Sequence, residues 1–157
     1  MGMFCYQCEQ TARGTGCTTH GVCGKDPGTA ALQDLVIHAL KGLSAYAHAL
    51  RGLGQPDREA DLLVIEGLFS TVTNVNFDPT RFEPLLRSIA ACRDRLRPRY
   101  EQAATRAGQN PWPPRGPAAW VPARDLDGLI RQGEEAAIPH RQERLGADAA
   151  GLQELLL

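Results

Sequence analysis

Four of the five cysteines in this chain of 157 residues lie close to its N-terminus. They follow the spacing C-x2-C-x8-C-x5-C and are Cys5, Cys8, Cys17 and Cys23. The surrounding segment, residues 1–27, is rich in Gly, Thr and Cys and shows no sustained helical or strand period. Because such a segment supplies few apolar side chains of its own to bury, we expect a loop that is wrapped around a bound ligand.

The spacing of these cysteines suits a metal centre. The two residues between Cys5 and Cys8 allow both sulfurs to face one metal, and the nearby glycines let the backbone fold closely around it. Four thiolates match a [4Fe–4S] cluster, but a structural zinc site also accepts four. Zinc ribbons usually carry two short pairs, whereas five residues separate Cys17 from Cys23. Spacing therefore favours iron and sulfide, and it leaves zinc, disulfides and redox thiols open.

The overall charge excludes several classes of partner. Seventeen Lys and Arg oppose eighteen Asp and Glu, which gives a net charge of −1 and favours neither nucleic acid nor an anionic membrane. No stretch approaches the ~18 apolar residues of a membrane span, and the first residues do not resemble a secretion signal. We expect a cytoplasmic, soluble protein with no nucleic-acid or membrane partner. Since disulfides are rare in the cytosol, metal binding is the first interpretation of the clustered thiols.

Beyond the cysteine segment, the periodicity of apolar residues predicts an all-α fold. Three amphipathic patterns begin at 26–27, 55–57 and 78–79, where Asp and Pro supply caps and first-turn residues. The first pattern ends at the glycines of 52–54, and a turn at 74–76 follows the second. Pro84 and Pro98 interrupt the third, so we expect kinks or early termination there. The prediction is a cysteine-rich loop followed by a three-helix bundle.

The C-terminal third predicts a change of organisation. A run with five prolines at 108–122 indicates an extended connector, and helical patterns resume at 125–136 and near 148. We therefore divide the chain into 1–107, the cluster loop with its bundle, 108–123, the connector, and 124–157, the start of a second helical unit. Residues 151–157 resemble 31–37, which suggests a second copy of the unit that is cut short, although a chance likeness between apolar helix starts explains it equally well.

Several strings resemble one protein family. They are MFCYQCEQTA at 3–12, GTGCT at 14–18, GVCGK at 21–25, TAALQDL at 29–35 and LFSTVTNVNFD at 68–78. Together they resemble the N-terminal part of hybrid-cluster proteins, also called prismane proteins or hydroxylamine reductases, and the likeness extends over nearly the whole chain. It implies a cubane [4Fe–4S] cluster that passes electrons, bound by the residues at matching positions: Cys5, Cys8, Cys17 and Cys23.

The same resemblance implies what lies beyond this segment. Family members hold a hybrid iron–sulfur–oxygen cluster, where hydroxylamine is reduced to ammonia or nitric oxide to nitrous oxide, on Cys, His and Glu ligands far downstream in longer chains. None of those ligands can be mapped here, so we expect an electron-relay segment that is catalytically incomplete alone. Its expected partners are an NADH-dependent flavin or iron–sulfur reductase and the missing C-terminal domains.

Two other interpretations remain beside this one. The first is a zinc-stabilised interaction module without a redox role. The second is a cluster-binding piece of the related carbon monoxide dehydrogenase fold, which the string FCYQCEQTA argues against.

The remaining chemistry-bearing side chains predict structural roles. We expect His38 to be solvated or packed and Cys92 to be buried as a small apolar residue. The basic run that begins at Arg93 predicts a solvated helix face. In the connector, Trp112 and Trp120 are expected to anchor it either onto the helices or, in a longer chain, onto further domains.

Overall fold

The computed structural model describes residues 3–72 and 75–155, and the side chains of 154 and 155 are outside this description. Within that part of the chain the long elements are all helices, so the predicted all-α fold is confirmed. They are α1 (Pro27–Gly52), α2 (Arg58–Ser70), α3 (Pro79–Arg106), α4 (Leu126–Ala136), α5 (Ile138–Leu145) and α6 (Ala147–Leu155). Asn74 of the predicted turn and the last two residues of the predicted repeat lie outside the described residues.

Four of the helices begin at an aspartate whose side chain accepts a backbone N–H of the first turn. The donor–acceptor distances are 3.0 Å at Asp26, 3.0 Å at Asp57, 2.9 Å at Asp78 and 2.7 Å at Asp125. Each bond satisfies one of the N–H groups that a helix start leaves without a partner. Proline in the first turn of α1 and α3 adds a preset φ angle. The helix starts predicted from the Asp and Pro positions are therefore confirmed.

Helix α1 forms the centre of the structure and packs against α2, α3 and α4. Its apolar face is buried against side chains such as Phe82 and Ile89 of α3. Leu129 of α4 is fully buried in the same core, so α4 packs back onto the first bundle. The division of the chain into three regions stays a prediction.

The proline-rich connector crosses the bundle surface and contains a short 3-10 turn at Gly116–Ala119. Trp112 stacks on Tyr46 with ring centroids 4.6 Å apart, and its backbone N–H donates to the Tyr100 hydroxyl at 3.2 Å. Trp120 donates its ring N–H to Gln132 Oε1 at 3.2 Å. Both tryptophans therefore anchor the connector onto the helices, as predicted.

Helix α3 departs from expectation in two places. It continues through Pro84 and Pro98, so it does not terminate early at either proline, and the expected kinks stay a prediction. Fully buried residues such as Leu86 and Leu96 hold it against α1 in both regions, and this packing offsets the lost backbone hydrogen bonds. Arg93, expected on a solvated face, is only 4% exposed and donates to the carbonyl oxygen of Trp120. Its guanidinium therefore fixes the connector to α3.

Helix α2 presents an apolar stripe to solvent. Leu62, Ile65 and Phe69 are each more than half exposed and recur at helical spacing, and Val72, two residues after the helix ends, is half exposed as well. In the described part of the chain, none of the helices combines the length and apolar character needed to cross a membrane.

Candidate metal centre

Two of the predicted ligands face each other across an isolated antiparallel bridge. The backbone N–H of Cys5 donates to the carbonyl oxygen of Cys17 at 3.0 Å, and Cys17 returns a bond to Cys5 at 2.8 Å. Residues that exchange both bonds in this way have Cα atoms about 5.5 Å apart. Two backbone hydrogen bonds therefore hold the first and third cysteines of the motif side by side.

The other two cysteines lie at turns. The carbonyl oxygen of Cys8 accepts the backbone N–H of Thr11 at 3.2 Å, at the entry to a 3-10 turn spanning Ala12–Gly14. Cys23 lies in a second turn, which is closed by a 2.8 Å bond from the Gly21 N–H to the Lys25 carbonyl oxygen. These turns reverse the chain and fix the backbone on which each thiol is carried.

Glycine is required in this loop by close approach as well as by backbone angle. Gly16 has φ +143°, and a Cβ there would lie 2.7 Å from a ring carbon of Phe4. A Cβ at Gly21 would lie 3.2 Å from Cys23 Sγ and 3.0 Å from Lys25 Cβ. Side chains therefore fill the space that a larger residue at either position would need.

All five cysteines are free thiols, although their surroundings differ. Cys17 is buried, and the backbone N–H groups of Ala12 and Val22 hold the pKa of its thiol below the usual value, despite the opposing effect of burial. Burial raises the pKa of the Cys92 thiol. Because the thiolate is the form that binds metals, the lowered pKa of Cys17 is compatible with a ligand role, which stays a prediction. The predicted burial of Cys92 as a small core residue is confirmed.

The structure pairs the backbones of Cys5 and Cys17, and it places Cys8 and Cys23 on two turns of the same loop. In residues 3–72 and 75–155, no group of three or more Cys, His, Asp or Glu side chains converges in metal-ligand geometry. The full set of four sulfur ligands therefore stays a prediction.

A cavity of about 460 Å³ opens beside the cysteine loop. Its walls come from Cys5 and Lys25 in the loop, Asp34 on α1, Leu68 near the end of α2 and Arg141 on α5. The loop is therefore not sealed against the bundle, and space is available next to Cys5.

Sequence reasoning missed Lys25 as a component of this centre. The residue is 2% exposed, and its ammonium donates to Cys5 Sγ at 3.7 Å and to Gln7 Oε1 at 3.1 Å. The available signal was its position, since it lies two residues after the last cysteine of the motif. Because lysine is usually solvent-exposed, nothing else in the sequence indicated a buried ammonium at this position.

Comparison with known proteins finds relatives whose sequences align with nearly all of this chain. A hydroxylamine reductase of Rhodospirillum rubrum is 54% identical over 155 residues, which are 99% of this chain and 28% of the relative. One from Geobacter sulfurreducens is 48% identical over 159 residues, covering 100% of this chain and 28% of the relative. One from Acidiphilium cryptum is 47% identical over 160 residues, or 99% and 29%.

This chain therefore spans less than a third of the length of these relatives. The family model described as Prismane/CO dehydrogenase family matches residues 3–157. With the cysteine loop and the helical bundle, these matches establish that the chain belongs to the Prismane/CO dehydrogenase family.

Proposed function

We propose that this chain is the electron-relay segment of a hydroxylamine reductase-like oxidoreductase and binds a [4Fe–4S] cluster. The proposed ligands are Cys5, Cys8, Cys17 and Cys23. The observation that carries the proposal is the pairing of Cys5 with Cys17 by two backbone hydrogen bonds, with the other two thiols on adjoining turns. The name shared by the similar relatives supports the reaction class.

The residues of the loop fit a cubane cluster by their chemistry. Such a cluster takes one thiolate for each iron, and the loop supplies four free thiols. Backbone N–H groups directed at Cys17 stabilise its thiolate and are also the groups that tune a cluster through hydrogen bonds to sulfur. Phe4 packs over Gly16, and its ring centroid lies 5.5 Å from that of Tyr6, so two aromatic rings line one side of the loop.

When bound, the cluster would supply single-electron transfer. The cysteine thiolates would hold it, and the turns at Cys8 and Cys23 would fix its position relative to the bundle. In a longer protein, electrons from an NADH-dependent flavin or iron–sulfur reductase would pass through this segment to a hybrid iron–sulfur–oxygen cluster, where hydroxylamine or nitric oxide is reduced. The proposed location of the whole protein is the cytoplasm.

Anaerobic preparation of the chain tests the proposal. We expect about four irons and four sulfides per chain and a broad absorption near 400 nm that dithionite bleaches. Alanine at Cys8 or Cys23 should abolish iron binding, whereas C92A should retain it, because Cys92 is buried in α3 away from the loop. A colourless protein with one zinc, or one that cannot be reconstituted with iron and sulfide, would contradict the proposal.

The relay role has a separate test. The chain loaded with its cluster should accept electrons from dithionite but should not reduce hydroxylamine at enzymatic rates. Sustained turnover by the purified chain would show that it holds more of the catalytic machinery than a relay needs.

A further inference from the structure

Lys25 carries a charged group into the interior of the protein. The residue is 2% exposed, and its backbone belongs to the turn that holds Cys23. Lysine is almost never fully buried unless it is paired, because its ammonium loses strong hydration. Among the described residues, the hydrogen bonds of its ammonium go to the Cys5 sulfur at 3.7 Å and to the Gln7 side-chain oxygen at 3.1 Å. Neither acceptor is a carboxylate.

A neutral thiol at Cys5 and the neutral amide of Gln7 compensate a buried ammonium poorly. A thiol sulfur is a weak acceptor, and an amide oxygen contributes only a dipole. A cysteine sulfur that binds a metal is a thiolate, and an ammonium beside it forms a charge-assisted hydrogen bond. The contact between Lys25 and Cys5 is therefore best satisfied when Cys5 carries negative charge.

The loop holds the ammonium at this sulfur. The Lys25 carbonyl oxygen accepts the Gly21 N–H at 2.8 Å, and the missing side chain at Gly21 leaves room for both Lys25 Cβ and Cys23 Sγ. The side-chain oxygen of Gln7, two residues after Cys5, accepts a second hydrogen bond from the Nζ. The cation is thus fixed by the same turns that carry the proposed ligands.

We propose that Lys25 is the counter-charge of the cluster and raises its reduction potential. The inference rests on the proposed function. Four thiolates make the bound cluster anionic, and reduction adds one electron and one further negative charge, with no bond broken and no proton transferred. A fixed positive charge and an N–H donor at Cys5 favour the reduced state over the oxidised state. Net charge and hydrogen bonds to sulfur are among the factors that set cluster potentials.

The competing interpretation is that Lys25 only fills space with its aliphatic stem. Two substitutions separate charge from shape. Lys25→Met keeps an unbranched apolar stem and removes the charge, whereas Lys25→Arg keeps the charge. Lys41→Met is the matched control, since Lys41 is the only other lysine of the chain and lines a different cavity with Trp112 and Pro113.

The readout is the midpoint potential of the cluster in an anaerobic redox titration followed by visible absorption and electron paramagnetic resonance. We expect Lys25→Met to lower the equilibrium constant for one-electron reduction by about tenfold or more. A tenfold decrease corresponds to a midpoint potential that is about 59 mV lower. For Lys25→Arg and for Lys41→Met, this equilibrium constant should stay within about threefold of the value for the original chain. The midpoint potential responds to the charge at residue 25. If Lys25 only fills space, Lys25→Met should leave the potential unchanged.

The outcomes distinguish this inference from the function on which it rests. An original chain without iron or sulfide overturns both. A loaded original chain, with Lys25→Met at an unchanged potential, overturns only the role of Lys25. If Lys25→Met folds by circular dichroism but does not retain the cluster, retention by Lys25→Arg supports the inference and loss in both variants overturns it. If Lys25→Met does not fold, Lys25→Gln is titrated against the same two outcomes.

Discussion

Asp57 and Arg95 form a forked ion pair that joins the start of α2 to the middle of α3. The guanidinium donates to the two carboxylate oxygens at 2.8 and 3.1 Å, and Arg99 donates to the same carboxylate. The Asp57 side chain is 8% exposed, and it also accepts the backbone N–H of Ala60 as the cap of α2. The hydrogen bond from Arg95 is the main reason that the pKa of Asp57 lies far below its ordinary value.

We predict that Asp57→Asn destabilises the fold by about 2 kcal/mol at neutral pH, because it leaves two arginines facing a neutral amide while keeping a good capping side chain. Urea unfolding measures the change. Asp61→Asn is the control, since Asp61 pairs with Arg51 on the surface and should cost less than about 1 kcal/mol. Equal losses in the two variants would contradict a special role for the buried carboxylate.

The same pair predicts how stability responds to acid. The pKa of Asp57 is lower in the folded chain than in the unfolded chain, so its stabilisation is complete above the unfolded value of about 4 and is lost as the pH falls further. Between pH 5 and pH 3 the original chain should lose more unfolding free energy than Asp57→Asn does. Parallel curves for the two proteins would count against this linkage.

His38 gives a second pH dependence at higher pH. Burial, and then the charges of Lys41, Arg141 and Arg144, lower the pKa of His38 from 6.5 to about 4. A base whose pKa falls on folding is neutral in the native state, so its contribution is present above pH 6.5 and is lost as the pH falls toward 4.

We therefore expect the original chain to lose about 2 kcal/mol of unfolding free energy in this interval beyond the loss in His38→Gln. The measurement is denaturant unfolding at pH 7.5 and pH 4.5. His48→Gln provides the matched substitution at an exposed position of the same helix. A His38→Gln curve that follows the original chain would refute the prediction.

The sequence predicted the helices that carry their own local signals. Asp26 and Asp125 lie where a cap is expected, and the apolar period of the following residues matches the buried face. Helix α5 has a first-turn proline, Pro139, but no side-chain cap and no buried residue, so a buried apolar period does not mark it. It was therefore not predicted.

The missed features of the candidate site and of α3 depend on tertiary contacts. The cysteine spacing and the family resemblance predicted Cys5, Cys8, Cys17 and Cys23, but the burial of Lys25 follows from how two turns meet. Arg93 is likewise buried because the connector passes over it, more than 20 residues later in the chain. Local periodicity carries no information about contacts between segments that are distant in the sequence.

Gly133 gives the last prediction, because at this residue α4 approaches the backbone of α1 without a side chain between them. A Cβ at Gly133 would lie 2.1 Å from the carbonyl oxygen of Ala31 and 2.5 Å from its carbonyl carbon, and these backbone atoms cannot move aside as a flexible side chain could. Helix propensity alone would make alanine better by about 1 kcal/mol, but the clash should reverse the sign.

We therefore expect Gly133→Ala to destabilise the chain by about 2 kcal/mol or more in urea unfolding. The fluorescence of Trp120 should change as well, because Gln132, the neighbour of Gly133, accepts the ring N–H of this tryptophan. Gly151→Ala is the matched control, since a Cβ placed there meets no described atom within 4 Å beyond its chain neighbours and its own helix backbone, and it should be neutral or stabilising by up to about 1 kcal/mol. A Gly133→Ala protein as stable as Gly151→Ala would mean that α4 does not lie this close to α1 in solution.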